Sequence, residues 1–408
     1  MRILLSAYAC RPYMGSEPAV GWNWVKELSR FHDLTVLTNY TNRPYIEAFN
    51  EKNGKTPNVE FVYVRPNSKL TFWYKEWKQF ERLYYILWQK TALGVARRLN
   101  EQCRFDVVQH LTYVTCVLPT YMYKLGVPFI YGPISGGEKI PKVIGLPMSF
   151  KEQLVEVIRG ATQLIPRFSW NTRRAFHHAA KIIAVTEDTV ELIPKRDRNK
   201  VEVCQAISLG EQFFAHDVKK ADNQSSVKIL IAGRMLAWKG FTIGIEAAMK
   251  AMAQDHNIEL TVLGSGDDKY HQKLVKLAGG YCGTRIHFID SVGFEEMASF
   301  YAKFDILLNC SLRDSGCLVV MEAMACGLPV ICVNTGGPAV NTAEDCAIKV
   351  APTDCHTLVD RMSDAILYLS KNKEIRELMG RNARLHALNN FSSSGKIKHL
   401  LKIYEEVR

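Results

Sequence analysis

Nowhere in these 408 residues does an apolar run approach the ~18 residues that a membrane-crossing helix needs, so no transmembrane span is expected. The eleven cysteines include no C-x-x-C pair, follow no regular framework and are odd in number. That is the pattern of reduced cytosolic thiols, and it supports neither a disulfide scaffold nor a zinc site. There is no fixed-period repeat and no low-complexity tract. The dinucleotide fingerprint G-x-G-x-x-G is missing after every strand-like run, since Gly264-Ser265-Gly266-Asp267-Asp268-Lys269 lacks the third glycine. Helix-turn-helix, zinc and RNP-type signatures are missing too. The opening MRILLSAYAC has too short an apolar core for a secretion signal, and Tyr8 is bulky where a cleavage site wants small residues. It reads as a buried first strand.

What is present is an ordinary globular composition, 47% hydrophobic and 23% charged, long enough for two or three domains. Strand-like runs fall at 3–7, 34–37, 59–64, 107–109, 129–131 and 182–185, then at 227–232, 260–263, 286–289, 306–308 and 330–333. They are rich in β-branched residues with little alternation, and helix-period segments separate them. Strands buried on both faces make parallel sheets covered by helices. The expected fold class is therefore α/β, with two successive doubly wound, Rossmann-like domains. The polar segment 211–226 is the boundary candidate. Expected domains are 1–205 and 206–390, followed by a basic, helix-like stretch at 391–408.

The charge is lopsided. Lys and Arg number 52 against 41 Asp and Glu, a net of +11. Residues 1–200 hold 29 basic and 17 acidic residues, a net of +12, whereas 201–408 come to −1. A one-sided basic surface suits an anionic partner: phosphorylated ligands, an anionic lipid leaflet or nucleic acid. The basic residues do not gather on a recognition helix, so nucleic acid is not expected as a partner.

Two loops carry chemistry. After the strand at 306–308 come Asp314, Ser315, Gly316, Cys317 and an apolar helix that contains Glu322 and stops at Gly327. Asp314 and Ser315 are natural N-caps, and a helix start at the edge of a parallel sheet favours a phosphate. Earlier, the strand at 227–232 ends in Gly233-Arg234, with Lys239-Gly240 five residues on. Two cations in one loop can neutralise a diphosphate without a metal. The chain has no D-x-D triplet, the usual handle for a metal bound to a sugar nucleotide.

Arg234, Lys239 and the Asp314-x7-Glu322 spacing resemble the retaining glycosyltransferases of family 4, whose fold is GT-B. The likeness extends along the chain through Gly15-Ser16-Glu17 with Gly21-Trp22, Val262-Leu263-Gly264-Ser265-Gly266, Asn334-Thr335-Gly336-Gly337-Pro338 and the run Met379 to Arg384. The resemblance implies two Rossmann-like domains facing a cleft, an N-terminal acceptor domain and a C-terminal donor domain, with the last helix returning to the first domain. It implies transfer of a sugar from a nucleotide-diphosphate sugar, with no cofactor and no metal, to a glycan or lipid-linked acceptor in cell-surface polysaccharide or glycolipid assembly. Carried over by position, Arg234 and Lys239 would hold the departing diphosphate, Asp314 would contact the transferred sugar and Glu322 the ribose. Gly15, Gly233, Gly264 and the backbone of Gly316, Cys317 and Leu318 would meet the donor, and His110 would lie near the sugar. Ser16 and Glu138 are the acceptor-side candidates. The family usually has Glu where this chain has Asp314, and Gly-Phe-Gly where it has Ser315-Gly316-Cys317.

Two segments bear on the acceptor. In 72–90, Trp73, Trp77, Phe80, Tyr84 and Trp88 fall on one helical stripe opposite Lys75, Lys78 and Arg82. In 139–174, Val143, Ile144, Leu146, Met148, Phe150, Ile165, Phe168 and Trp170 mix with Lys139, Lys142, Lys151, Arg159, Arg167, Arg173 and Arg174. Each stripe either packs into a core or meets an anionic membrane. A cytoplasmic protein, peripheral at the inner face of the membrane, is the expectation that combines them. A nucleotide-sugar epimerase or NAD-dependent oxidoreductase, and a basic nucleic-acid-binding protein, are the competing classes.

Overall fold

The computed structural model describes residues 1–14, 16–66, 80–145, 150–215 and 226–408, without the side chains of Ser16, Phe150 and Lys151. Two compact units emerge. The first takes residues 1–137, 157–208 and 397–408; the second takes 138–156 and 209–396.

The first unit is built on seven strands: β1 (Arg2–Ala7), β2 (Asp33–Asn39), β3 (Val59–Val64), β4 (Val107–Thr112), β5 (Phe129–Ile134), β6 (Lys181–Ala184) and β7 (Val201–Val203). Their order is β3-β2-β1-β4-β5-β6-β7, all parallel. Alternate residues of β1 go to opposite faces, as a strand requires. Leu4 joins one cluster with Val108 and Tyr131, while Ile3 and Leu5 join another with Val36 and Ile130. All three are fully buried, each contributing roughly 1.5–3 kcal/mol of transfer free energy.

The second unit repeats the plan with β8 (Val227–Ala232), β9 (Ile258–Leu263), β10 (Ile286–Ile289), β11 (Ile306–Asn309), β12 (Val330–Val333) and β13 (Ala347–Val350). The order is β10-β9-β8-β11-β12-β13, again all parallel. In both sheets the strand order reverses at one point, between β1 and β4 and between β8 and β11. Ligands of doubly wound sheets sit at the carboxyl ends of strands at such a point.

The described part of the 72–90 stripe packs inward, with Phe80 half-buried. Tyr84 and Trp88 of the helix Glu81–Cys103 are buried, and the Trp88 indole N–H donates to the Val64 carbonyl at 3.2 Å. Trp73, Trp77, Lys75 and Lys78 lie outside the described residues. The C-terminal helix Ser393–Val407 gives its last part to the first unit. There Ile403 and Tyr404 join the Ile3 cluster, Tyr404 donates its hydroxyl proton to Gln109, and Lys181 meets Glu406 at 2.6 Å. All eleven cysteines are free thiols. Among the described residues no helix is long and apolar enough to cross a membrane.

Glycine decides how the ends of β8 and β9 pack. A Cβ on Gly264 (φ +146°) would lie 1.8 Å from the carbonyl oxygen of Gly233, a contact with no room to relax. Gly264→Ala is expected to destabilise by about 3 kcal/mol or more in denaturant unfolding. Gly94, exposed in the interior of the helix Glu81–Cys103 with open space around its Cβ position, is the opposite case. Gly94→Ala should add about 0.5–1 kcal/mol in the same experiment.

Candidate functional site

In the second unit β8 runs out at Ala232 and the chain turns through Gly233, whose φ of +143° favours glycine. Arg234 follows, exposed. A short 3-10 turn, Ala237–Lys239, then ends at Gly240 (φ +68°), where a Cβ would sit 2.1 Å from the Cys310 carbonyl oxygen. That close approach to the end of β11 sets where Lys239 stands. Its ammonium pairs with one carboxylate oxygen of Asp314, and both side chains are about one-fifth exposed, at 19% each.

The other carboxylate oxygen of Asp314 accepts the Cys317 N–H at 3.2 Å. This departs from the expected N-cap at Asp314 or Ser315. The helix is Leu318–Ala325 and its N-cap is Cys317, in left-handed conformation at φ +45° with no capping bond from its side chain. Asp314 satisfies an amide one residue before the helix because its carboxylate is also drawn to Lys239, 75 residues away in sequence. The helix stops as expected around Gly327 (φ +78°), whose N–H donates to Met324 while Leu328 N–H donates to Ala323.

The loop that carries Asp314 is fastened by the loop after β12. Thr335 Oγ1 donates to the Ser311 carbonyl at 3.1 Å, Gly337 N–H to the Asp314 carbonyl at 2.7 Å, and Asn341 Nδ2 to the Gly316 carbonyl at 2.8 Å. A Cβ on Gly337 would meet the Ser315 carbonyl oxygen at 2.5 Å. The motif Asn334 to Pro338 thus acts through the backbone of its neighbour. Gly233, Lys239, Asp314 and Cys317 line one cavity of ≈ 30 Å³, together with Asn309 and Ser311. Leu318 stands at the first helical position beside it. The first amides of a helix have no intrahelical acceptors, so they point positive charge density at this corner.

Glu322 is not among the cavity residues. It is buried in the helix Leu318–Ala325, and its Oε2 accepts the Tyr301 hydroxyl at 2.8 Å. Burial raises its carboxyl pKa, and the Tyr301 hydrogen bond only partly opposes this. Gly264 is locked against Gly233 and contributes shape. Among the described residues no group of three or more His, Cys, Asp or Glu converges to hold a metal ion.

The first unit holds His110, on β4 beside Ser6 of β1. Its Nε2–H donates to the Tyr113 carbonyl at 3.3 Å, which leaves Nδ1 as a buried lone pair with no partner among the described residues. Burial pushes its pKa down to about 4. Glu17, at the start of the helix Ser16–Leu28, was not a candidate. Its carboxylate accepts the Val114 N–H, and burial pushes its pKa up to about 7. An acidic residue in a first helical turn ordinarily reads as a solvated complement to the dipole, so nothing local marked it. Gly15 and the Ser16 side chain lie outside the described residues. Glu138 is buried and belongs to the second unit.

Residues 226–368 match the family model of Glycosyl transferases group 1. An uncharacterized glycosyltransferase of Methanocaldococcus jannaschii is 27% identical over 190 residues, 45% of this chain and 46% of its own. A D-inositol 3-phosphate glycosyltransferase of Paenarthrobacter aurescens is 31% identical over 176 residues, 40% of each chain. The chain thus spans less than half the length of these curated relatives. Over the whole chain, the Anabaena HepE structure in complex with UDP and glucose superposes with a TM-score of 0.59 at 14% identity, covering 99% of both chains. A likeness at that identity concerns the fold, and the fold is GT-B.

His110 and Glu17 supply a pH test. With the folded pKa of His110 depressed from 6.5, its contribution to stability is present above pH 6.5 and is lost as pH falls towards 4. Glu17 has the opposite sign: its contribution is complete below pH 4.5 and is lost as pH rises through 7. In NMR titration the His110 ring should stay neutral from pH 8 down to about 5. A midpoint near its ordinary value would contradict the buried placement.

Proposed function

We propose that this chain, whose second unit carries a glycosyl transferases group 1 domain, moves a sugar from a nucleotide-diphosphate donor to a hydroxyl of a glycan or lipid-linked acceptor. We further propose that it does so with retention at the anomeric carbon and without a metal. The observation that carries the reading is the grouping of Gly233, Lys239, Asp314 and Cys317 around one cavity at the strand ends beside the switch between β8 and β11. Phosphate-bearing ligands are held at such strand ends by helix amides and fixed cations. HepE, which shares the fold, is described with UDP and glucose bound.

The chemistry asks little of the protein beyond placed charge. The bond between the anomeric carbon and the diphosphate oxygen breaks, and negative charge collects on the leaving group. Arg234, Lys239 and the amides at the start of the helix Leu318–Ala325 meet that charge. Lys239 is held by Asp314 until the diphosphate competes for it, so donor binding frees an Asp314 oxygen for a sugar hydroxyl. The acceptor hydroxyl enters on the face the leaving group vacates, forms the new bond to the anomeric carbon, and passes its proton to a departing phosphate oxygen. No protein nucleophile takes part. Glu322, with one oxygen committed to Tyr301, offers the other to a ribose hydroxyl. His110, neutral through burial, contributes a hydrogen-bonding nitrogen without a charge. The +12 of residues 1–200 fits an anionic acceptor, as in assembly of a cell-surface polysaccharide or glycolipid.

The test is a panel of UDP-, GDP- and ADP-sugars read by donor hydrolysis and by thermal shift. One donor should raise the Tm, and Arg234→Ala or Lys239→Ala should lower turnover by about 10²-fold or more. EDTA should leave the rate unchanged, and the product should keep the donor's anomeric configuration. An inverted product would overturn the mechanism, and stabilisation by NADH in place of nucleoside diphosphates would overturn the class.

A further inference from the structure

We infer that residues 157–174 of the first unit form a docking face for an anionic lipid surface. After the helix Phe150–Thr162 come two short helices, Ile165–Phe168 and Trp170–His178. Along this stretch Val157 is 68% exposed, Ile158 56%, Phe168 80% and Trp170 68%, with Leu164 and Ile165 also exposed. The residues turned inward are Gln163, Pro166, Thr172 and Phe176. In part the usual polarity is inverted: a glutamine and a threonine are inside, beside Pro166, Ala175 and Phe176, and a tryptophan and a phenylalanine are outside.

That inversion is fixed by hydrogen bonds. Gln163 Nε2 donates to the Gly136 carbonyl at 2.9 Å. Ser169 caps the last helix, accepting from Thr172 N–H at 3.3 Å and lying 3.0 Å from the Thr172 hydroxyl. With Gln163 and Thr172 anchored, Phe168 and Trp170 have no inward course. Scattered apolar residues on a surface are ordinary, but six exposed ones within residues 157–170, a phenylalanine and a tryptophan among them, mark a binding face.

Charge chooses the occupant. From 157 to 178 there are four arginines and two histidines and no Asp or Glu. Arg167, Arg173 and Arg174 are exposed, and the Arg174 guanidinium lies 4.4 Å from the centroid of the Trp170 ring. A second copy seated on the same face would set arginine against arginine, because a two-fold interface repeats its own residues. An anionic headgroup layer meets both requirements at once: phosphates for the arginines and an apolar boundary for Trp170, Phe168 and the aliphatic side chains. The stripe at 139–174, which the sequence leaves open between core and membrane, therefore divides. Ile144 is in the core of the second unit, and 157–174 face outward.

The experiment is cosedimentation of the full chain with phosphatidylcholine vesicles, with and without phosphatidylglycerol. The chain should pellet with the anionic vesicles and be released by salt. The double variants Phe168→Ser/Trp170→Ser and Arg167→Glu/Arg173→Glu should each bind at least about tenfold more weakly, with Tm unchanged because these side chains are exposed. Equal binding to neutral vesicles, no binding, or full binding by both variants would overturn the proposal. So would a concentration-dependent dimer that Phe168→Ser/Trp170→Ser dissolves, which would assign the face to a second copy. Vesicle binding reads this face whether or not the chain transfers a sugar.

Discussion

Asp314 stands between a cation and a helix. One oxygen takes the Lys239 ammonium, and the other takes the amide of Cys317, the residue before the helix Leu318–Ala325. In a partly buried ion pair desolvation offsets much of the Coulomb gain, so the pair is better understood as a placement device. The backbone of its loop does not rely on it, since Thr335, Gly337 and Asn341 fasten that backbone from the next loop. The Asp314 side chain can consequently change partners while the loop stays where it is.

The first unit handles charge in the opposite way. It is strongly basic overall, yet at β4 and the helix Ser16–Leu28 burial drives two groups towards neutrality: His110 loses its proton affinity and Glu17 gains it. Both hold the same short loop, His110 through the Tyr113 carbonyl and Glu17 through the Val114 amide. The consequence is a hydrogen-bonding patch of reduced charge set inside a cationic domain.

Much of this was legible in the sequence, and what was not has a physical pattern. Eleven runs of β-branched residues marked strands because two-sided burial leaves an unbroken apolar signature. The two strands that escaped, β7 and β13, are edge strands of three and four residues broken by Glu202 and Lys349, where one side is free to be polar. Gly233, Lys239, Asp314 and Cys317 were legible as a group because their loops follow strands that adjoin in the sheet. The capping role of Asp314 was misplaced because a local rule cannot register a lysine 75 residues away. Glu17 was missed for the same reason, its partner being 97 residues distant. In the 139–174 stripe, composition could not separate Ile144 from Trp170; the Ser169 cap resets the helical phase and decides which side faces out.

The chain passes from one unit to the other four times, at 137/138, 156/157, 208/209 and 396/397. A fragment ending at 208 would carry Ile144 without the core it packs in, and would lack Tyr404, which satisfies Gln109 inside the first sheet. Neither half can be cut out as a contiguous piece of coding sequence. Recombination between related genes would therefore have to exchange three separate stretches at once to move the first unit intact. Change confined to the first unit is thereby left to point substitutions and loop insertions.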